Sequence, residues 1–211
     1  MALTHLQYFT GTWDEDMKIL EKELEKIEFK TPTSRRVKFN RPWPYEGSVL
    51  YGYTWRSYIS KHKQRKLDEE TGRFETTLKT QFPELQKMFE EIRDIYFEDF
   101  KFTGVQLNRN YRILPHKDTA NIGESVLISC GDYKGGRTIV DINGVPRYYD
   151  SRERPVKFDG SKYRHWVEAF EGTRYSLVFF NDNKAKKGLH VKYLEPIHET
   201  EEDYQLIRRD Q

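Results

Sequence analysis

A single cysteine, Cys130, occurs among 211 residues. One thiol cannot build a disulfide framework or a Cys-rich zinc module, and it fits a reducing, intracellular setting, cytoplasmic or nuclear. Long apolar runs are missing as well. None approaches the roughly 20 residues of a membrane-spanning helix, so no membrane association is expected. Met1 to Gly11 has neither a basic start nor an apolar stretch, and no secretory leader is read there. Internal repeats and Gly/Ser-rich or Pro-rich linkers are also absent. One compact domain, assumed monomeric, is therefore expected. The net charge of +2, from 36 Lys and Arg against 34 Asp and Glu, excludes little by itself.

Aromatic residues make up 15% of the chain, too many for a disordered charged tail. Six histidines make metal chemistry the first question. Two segments have helical periodicity. In Asp14–Ile27, Met17, Leu20, Leu24 and Ile27 form one apolar stripe. A second helix opens with Pro83 and Glu84 and places Leu85, Met88, Phe89, Ile92, Ile95 and Tyr96 at three-four spacing. Between them, Gly47–Arg56 and Phe74–Thr80 read as strands.

From about Phe102 short strand-like runs recur: Gly104–Ile113, Ser125–Cys130, Arg137–Ile142, Pro155–Phe158, His165–Phe170 and Arg174–Phe180. Gly135-Gly136, Asn143-Gly144, Asp159-Gly160 and Glu171-Gly172 separate them. That density of strands points to an antiparallel barrel or sandwich. The expected class is α+β, mainly β. Residues 1–100 would form an N-terminal elaboration, 101–182 a β core and 183–211 a C-terminal tail.

His116-Lys117-Asp118 is an H-x-D pair. On an extended segment its two side chains share a face, because strand side chains alternate. A later imidazole, His165, completes a two-His, one-carboxylate set. Such a set suits non-haem Fe(II) and leaves positions open for other ligands. The rival for that later position is His190, but no Arg follows it at a matching distance. Arg174 precedes an apolar run, Leu177–Phe180, and a buried guanidinium there needs an anion. Its planar fork suits a dicarboxylate, and Ser176 shares its face. Cys130 lies in an apolar run and reads as buried filler.

The order H-x-D, His, R-x-S resembles the Fe(II)- and 2-oxoglutarate-dependent dioxygenases over residues 100–182. The resemblance implies a double-stranded β-helix (jelly-roll) core, with Fe(II) held by His116, Asp118 and His165. It implies 2-oxoglutarate as cosubstrate on Arg174 and Ser176, and O2 as the second substrate. Asn110 and Tyr111, on the strand leading into H-x-D, would also touch 2-oxoglutarate. Gly172–Phe180 and His116–Asn121 look like the corresponding segments of the TET/JBP oxygenases, which oxidise the 5-methyl group of pyrimidines in nucleic acid; Asn121 would then contact the target base. Gly135-Gly136 and Thr173-Arg174-Tyr175 are similar to the prolyl-hydroxylase branch, which implies a protein side chain as substrate instead. A jelly-roll nucleic-acid-binding module without catalysis is a third reading.

From Lys30 to Lys66, ten basic residues face Glu46 alone, a net +9, while the stretch from Glu195 onward carries −4. Phe39, Trp43, Tyr45, Tyr51, Tyr53, Trp55 and Tyr58 are interleaved with these cations. Cations neutralise phosphates and aromatic faces stack on unpaired bases. Arg35, Arg36, Trp43, Tyr45, Trp55 and Arg56 are therefore expected to bind a nucleic-acid substrate, DNA in the first instance. The bland alternative is a basic face whose aromatics pack on the core.

Overall fold

The computed structural model describes residues 7–29, 46–54, 58–60, 63–69 and 72–182. Helix α1, Trp13–Glu25, opens with Asp14, Glu15 and Asp16, acids that suit the positive end of the helix dipole. It buries Trp13, Met17, Leu20 and Leu24, the expected stripe with one aromatic added. Asp16 turns back to accept from the Thr10 and Gly11 N–H groups at 2.6 and 3.0 Å and from the Tyr96 hydroxyl at 2.6 Å. Strands β1 (Gly47–Thr54), β2 (Tyr58–Ser60), β3 (Lys63–Gln64), β4 (Leu67–Asp68) and β5 (Arg73–Glu75) follow.

Phe74–Thr80 is not one strand. β5 stops at Glu75, and helix α2 spans Thr77–Gln81. The reason is Thr76: its hydroxyl accepts from the Lys79 N–H at 3.3 Å, the bond of a helix N-cap. Helix α3, Leu85–Tyr96, lies where its periodicity predicts and buries Leu85, Met88, Phe89 and Ile92.

The core strands are β6 (Gly104–Arg109), β7 (Ser125–Cys130), β8 (Tyr133–Gly135), β9 (Thr138–Ile142), β10 (Val145–Tyr149), β11 (Val156–Phe158), β12 (Arg164–Val167), β13 (Phe170–Gly172) and β14 (Tyr175–Phe180). The first run ends at Arg109 rather than Ile113, because Asn110 has φ +48° and breaks the extended path. β8, β10 and β13 are short strands that no apolar run announces.

The main sheet has the order β11-β7-β14-β6-β1-β5-β4, and a smaller one β10-β9-β12. After β6 the chain crosses to pair His116 with His165 on β12, then returns to β7. It crosses again to β9 and β10, returns as β11, crosses as β12 and returns as β14. This alternation between two facing sheets is the expected double-stranded β-helix. β1 adds to the free side of β6, with Gly47 opposite Arg109.

The two faces of the main sheet differ. Tyr51, Val105, Leu107, Val126, Ile128, Cys130, Tyr175, Leu177 and Phe179 form one core with residues of α1 and α3. Cys130 is thus buried as expected. So is Tyr51, which packs edge-on against Phe89 with ring centroids 5.1 Å apart, so for this residue the core reading holds over base stacking. Alternate residues, Ser48, Gln106, Asn108, Ser129 and Ser176, must point the other way, between the two sheets. No described helix is long and apolar enough to cross a membrane.

Phe179 touches the rings of Phe89, Phe97 and Phe102 at 5.8, 5.0 and 5.1 Å and is fully buried. Phe179→Ala should therefore cost about 3–5 kcal/mol. A urea titration should show a lower midpoint at unchanged slope.

Candidate metal and anion site

His116, Asp118 and His165 come together, with one ligand atom from each within 4.8 Å of the others. Register does this. The His116 N–H donates to the His165 carbonyl at 3.1 Å, and the His165 N–H to that of His116 at 2.9 Å. The Asp118 N–H then donates to the Gly160 carbonyl at 2.8 Å, which turns the carboxylate toward both rings.

The two imidazoles are held alike. His116 Nδ1 lies 2.8 Å from the Leu114 carbonyl oxygen and His165 Nδ1 lies 3.1 Å from that of Tyr163. A carbonyl accepts only, so both Nδ1 atoms carry the proton and a neutral ring has a lone pair at Nε2. These Nε2 atoms lie 3.3 and 3.5 Å from the two Asp118 oxygens. Two lone pairs facing a carboxylate repel unless a cation lies among them. Were the two rings protonated at Nε2 as well, burial would still raise the Asp118 pKa, but their hydrogen bonds would outweigh it and hold the carboxyl well below its ordinary range. Metal–ligand bonds of about 2.1 Å set neighbouring ligand atoms about 3–3.5 Å apart. The chemistry of the donors fits a divalent ion, and the two nitrogen–oxygen separations of 3.3 and 3.5 Å match that spacing.

Gly160 makes room for this cluster. A Cβ there would lie 3.1 Å from His165 Cε1 and 3.3 Å from Asp118 Oδ2. Phe158 packs edge-on against His165 at 4.9 Å and shields it from water.

Arg174, one residue before β14, is 1% exposed. Its guanidinium lies 5.6 Å from the Tyr133 ring and 5.8 Å from the Phe170 ring. Nη2 reaches the Ser151 hydroxyl at 3.5 Å, and Nε has no partner among the described residues. Ser151 in turn bonds Ser129, which bonds the Tyr133 hydroxyl, each at 2.7 Å. Burial pushes the Arg174 pKa down, opposed by Tyr133. No carboxylate among the described residues pairs with this guanidinium, and a buried guanidinium favours an anion beside it. Ser176 is buried beside Asn108, whose Nδ2 donates to its hydroxyl at 3.3 Å.

The structure places Asn110 behind Arg174. Its side-chain oxygen accepts from the Arg174 N–H at 2.8 Å, and its own N–H donates to the Arg174 carbonyl at 2.8 Å. Its Nδ2 donates to Glu46 at 2.8 Å. Tyr111 is half-buried next to it. Asn121 lies in the turn after Asp118, its N–H donating to the Asp118 carbonyl at 2.9 Å, and is half-buried. Arg35, Arg36, Trp43, Tyr45, Trp55, Arg56 and His190 lie outside the described residues. Sequence reasoning missed Tyr133, Ser129, Ser151 and Gly160. The turn signal at Asp159-Gly160 was visible, but not the need for a missing side chain.

No family model matches the chain, and no curated protein matches it. Among solved structures it is similar to NgTET1 in complex with 5mC DNA, at 16% identity and TM-score 0.45, covering 79% of this chain and 67% of that one. It is also similar to a prolyl-4-hydroxylase of Pseudomonas putida, at 12% identity and TM-score 0.44, covering 83% and 89%. OsALKBH1 matches at 16% identity and TM-score 0.45, over 81% and 94%. At these levels of likeness, the chemistry of the site stands on its own residues.

Gly160→Ala should crowd His165 and Asp118 together. The expected result is at least about a tenfold loss of divalent-metal affinity by titration. Phe179→Ala, remote from the cluster, should leave that affinity unchanged in the folded protein.

Proposed function

We propose that this chain is an Fe(II)- and 2-oxoglutarate-dependent dioxygenase that hydroxylates a C–H bond. The observation that carries it is the His116–Asp118–His165 cluster, its Nε2 atoms turned onto one carboxylate, within a fold that also buries Arg174 with no carboxylate partner among the described residues. When bound, iron and 2-oxoglutarate would supply the oxidising chemistry, with 2-oxoglutarate losing CO2 and one atom of O2 entering the substrate while the other leaves in succinate.

The chain's own residues do the rest. His116 and His165 are neutral donors and Asp118 contributes one negative charge, so a divalent ion keeps a net positive charge that favours an anionic cosubstrate. Arg174 and Ser176 take the far carboxylate. Asn110 fixes the Arg174 backbone from behind. Phe158 packs against the His165 ring and limits water on that side of the cluster.

The favoured substrate is the methyl group of a 5-methylpyrimidine in DNA or RNA. Its support is compositional: the net +9 block with its Trp and Tyr residues begins before β1 and runs on past β3. A base inside a duplex would have to be flipped out to reach the metal. A protein side chain such as proline is the second reading. Gly135-Gly136 favours it, the glycine pair that sequence reading matched to the prolyl-hydroxylase branch. In the structure Gly136 lies directly against Arg174.

Fe(II)-dependent succinate release is the direct test. His116→Ala and Arg174→Ala should each lower it by about 100-fold or more. Normal turnover in both would overturn the assignment. The mass gain of one oxygen atom on a methylated oligonucleotide, and not on proline peptides, would select the first substrate; affinity for that oligonucleotide should then fall steeply with salt.

A further inference from the structure

We propose that Arg73 and Asp182 are a positioning pair for the substrate side of this site. Their ion pair holds the turn after Asp118, which carries Asn121, in place against the end of β14. The proposal rests on the oxygenase reading above, with nucleic acid as the substrate. Arg73 opens β5 and is 1% exposed, and its Nη1 lies 2.8 Å from Asp182 Oδ1. Asp182 follows β14 by two residues, and its side chain is mostly buried.

The same short segment holds the turn beside the metal cluster. Asn121 and Asp182 form an isolated antiparallel bridge, and the Ile122 N–H donates to the Asn181 carbonyl at 2.8 Å. The Asn121 N–H donates to the Asp118 carbonyl at 2.9 Å. A path of main-chain pairing therefore runs from Asp118 through Asn121 to Asp182 and ends on Arg73. The Asp182 N–H also donates to the Thr103 hydroxyl at 3.2 Å, and Asn181 Nδ2 to the Lys101 carbonyl at 2.6 Å. Those bonds hold the segment to the approach to β6, and the ion pair holds it to β5.

β5 leads back to the basic block. It pairs with β4, whose first residue, Leu67, directly follows the last cation of the block, Lys66. A nucleic acid held by that block is thus placed relative to the metal through β4, β5 and the Arg73–Asp182 pair. Stability alone does not call for an ion pair here. Desolvating two charges is costly, and apolar side chains of similar volume often serve a buried position as well or better. A guanidinium and a carboxylate, unlike two apolar groups, meet in a defined geometry. Geometry is what this pair supplies.

Asp182→Asn and the apolar double variant Arg73→Met with Asp182→Leu test this in the full chain. The double variant leaves no unpaired buried charge, so its Tm should stay near that of the wild type even where Asp182→Asn unfolds. In either folded variant, amide exchange in the 119–122 turn should rise about tenfold while β7 is unchanged. Affinity for Mn(II), and anaerobic affinity for 2-oxoglutarate in its presence, should match the wild type. Product formation on a 5-methylcytosine oligonucleotide should fall about tenfold. Unchanged exchange in the turn overturns the proposal. So does exchange that rises equally in β7, which is loss of stability alone. Product formation at the wild-type rate beside an opened turn overturns the role in substrate placement. A wild type that hydroxylates proline peptides and not the oligonucleotide overturns the link to the basic block. A wild type that binds neither Mn(II) nor 2-oxoglutarate overturns the oxygenase reading, and the exchange result then judges the pair by itself.

Discussion

Two backbone hydrogen bonds between His116 and His165 set the register on which the site depends. Side chains in a strand alternate, so a slip of one residue would send one imidazole to the opposite face. The pairing also fixes Asp118, because the next bond along, to the Gly160 carbonyl, closes the turn that brings the carboxylate in. The metal cluster is thus positioned by main chain rather than by contacts among its own side chains. The Nδ1–carbonyl bonds then set the rotation of each ring.

The same economy applies to the main sheet. One face is saturated with Leu, Val, Ile and Phe under α1 and α3, and this packing stabilises the fold. The opposite face near Arg174 carries Asn108, Ser129 and Ser176. Burying such groups weakens a core, and a partly satisfied polar interior is expected where function requires it. Between the two sheets, Val140 and Ile142 of β9 pack with Leu127 of β7 and with Val156 and Phe158 of β11 in a second apolar cluster.

Much of this was legible in the sequence because it followed from short-range periodicity. The stripe in α3 and the alternation in β7 and β14 sit where their apolar residues put them. The H-x-D pair, His165 and Arg174 were legible as an ordered set. Thr76 was misread because a hydroxyl cap competes with β-branched propensity, and sequence pattern records only the propensity. Tyr51 was ambiguous because a tyrosine can serve a core or a surface equally well. Ser129, Ser151 and Tyr133 could not be found in advance. They are common strand and turn residues, given meaning only by a guanidinium that approaches from β14. The basic, aromatic stretch around residues 30–45 lies outside the described residues, so its role rests on composition.

Asn110 narrows the choice of residue at its position more than any metal ligand does. Its backbone is left-handed at φ +48°, its side-chain oxygen accepts from Arg174 and its nitrogen donates to Glu46. Glycine takes that angle at no cost but forms neither side-chain bond. Aspartate takes it and can accept from Arg174, yet sets a second negative charge against Glu46. Glutamine has the right amide but a longer reach and a poor fit to the angle. Backbone, acceptor and donor requirements thus intersect at a single amino acid. A residue that is not among the metal ligands is consequently among the least replaceable in the chain.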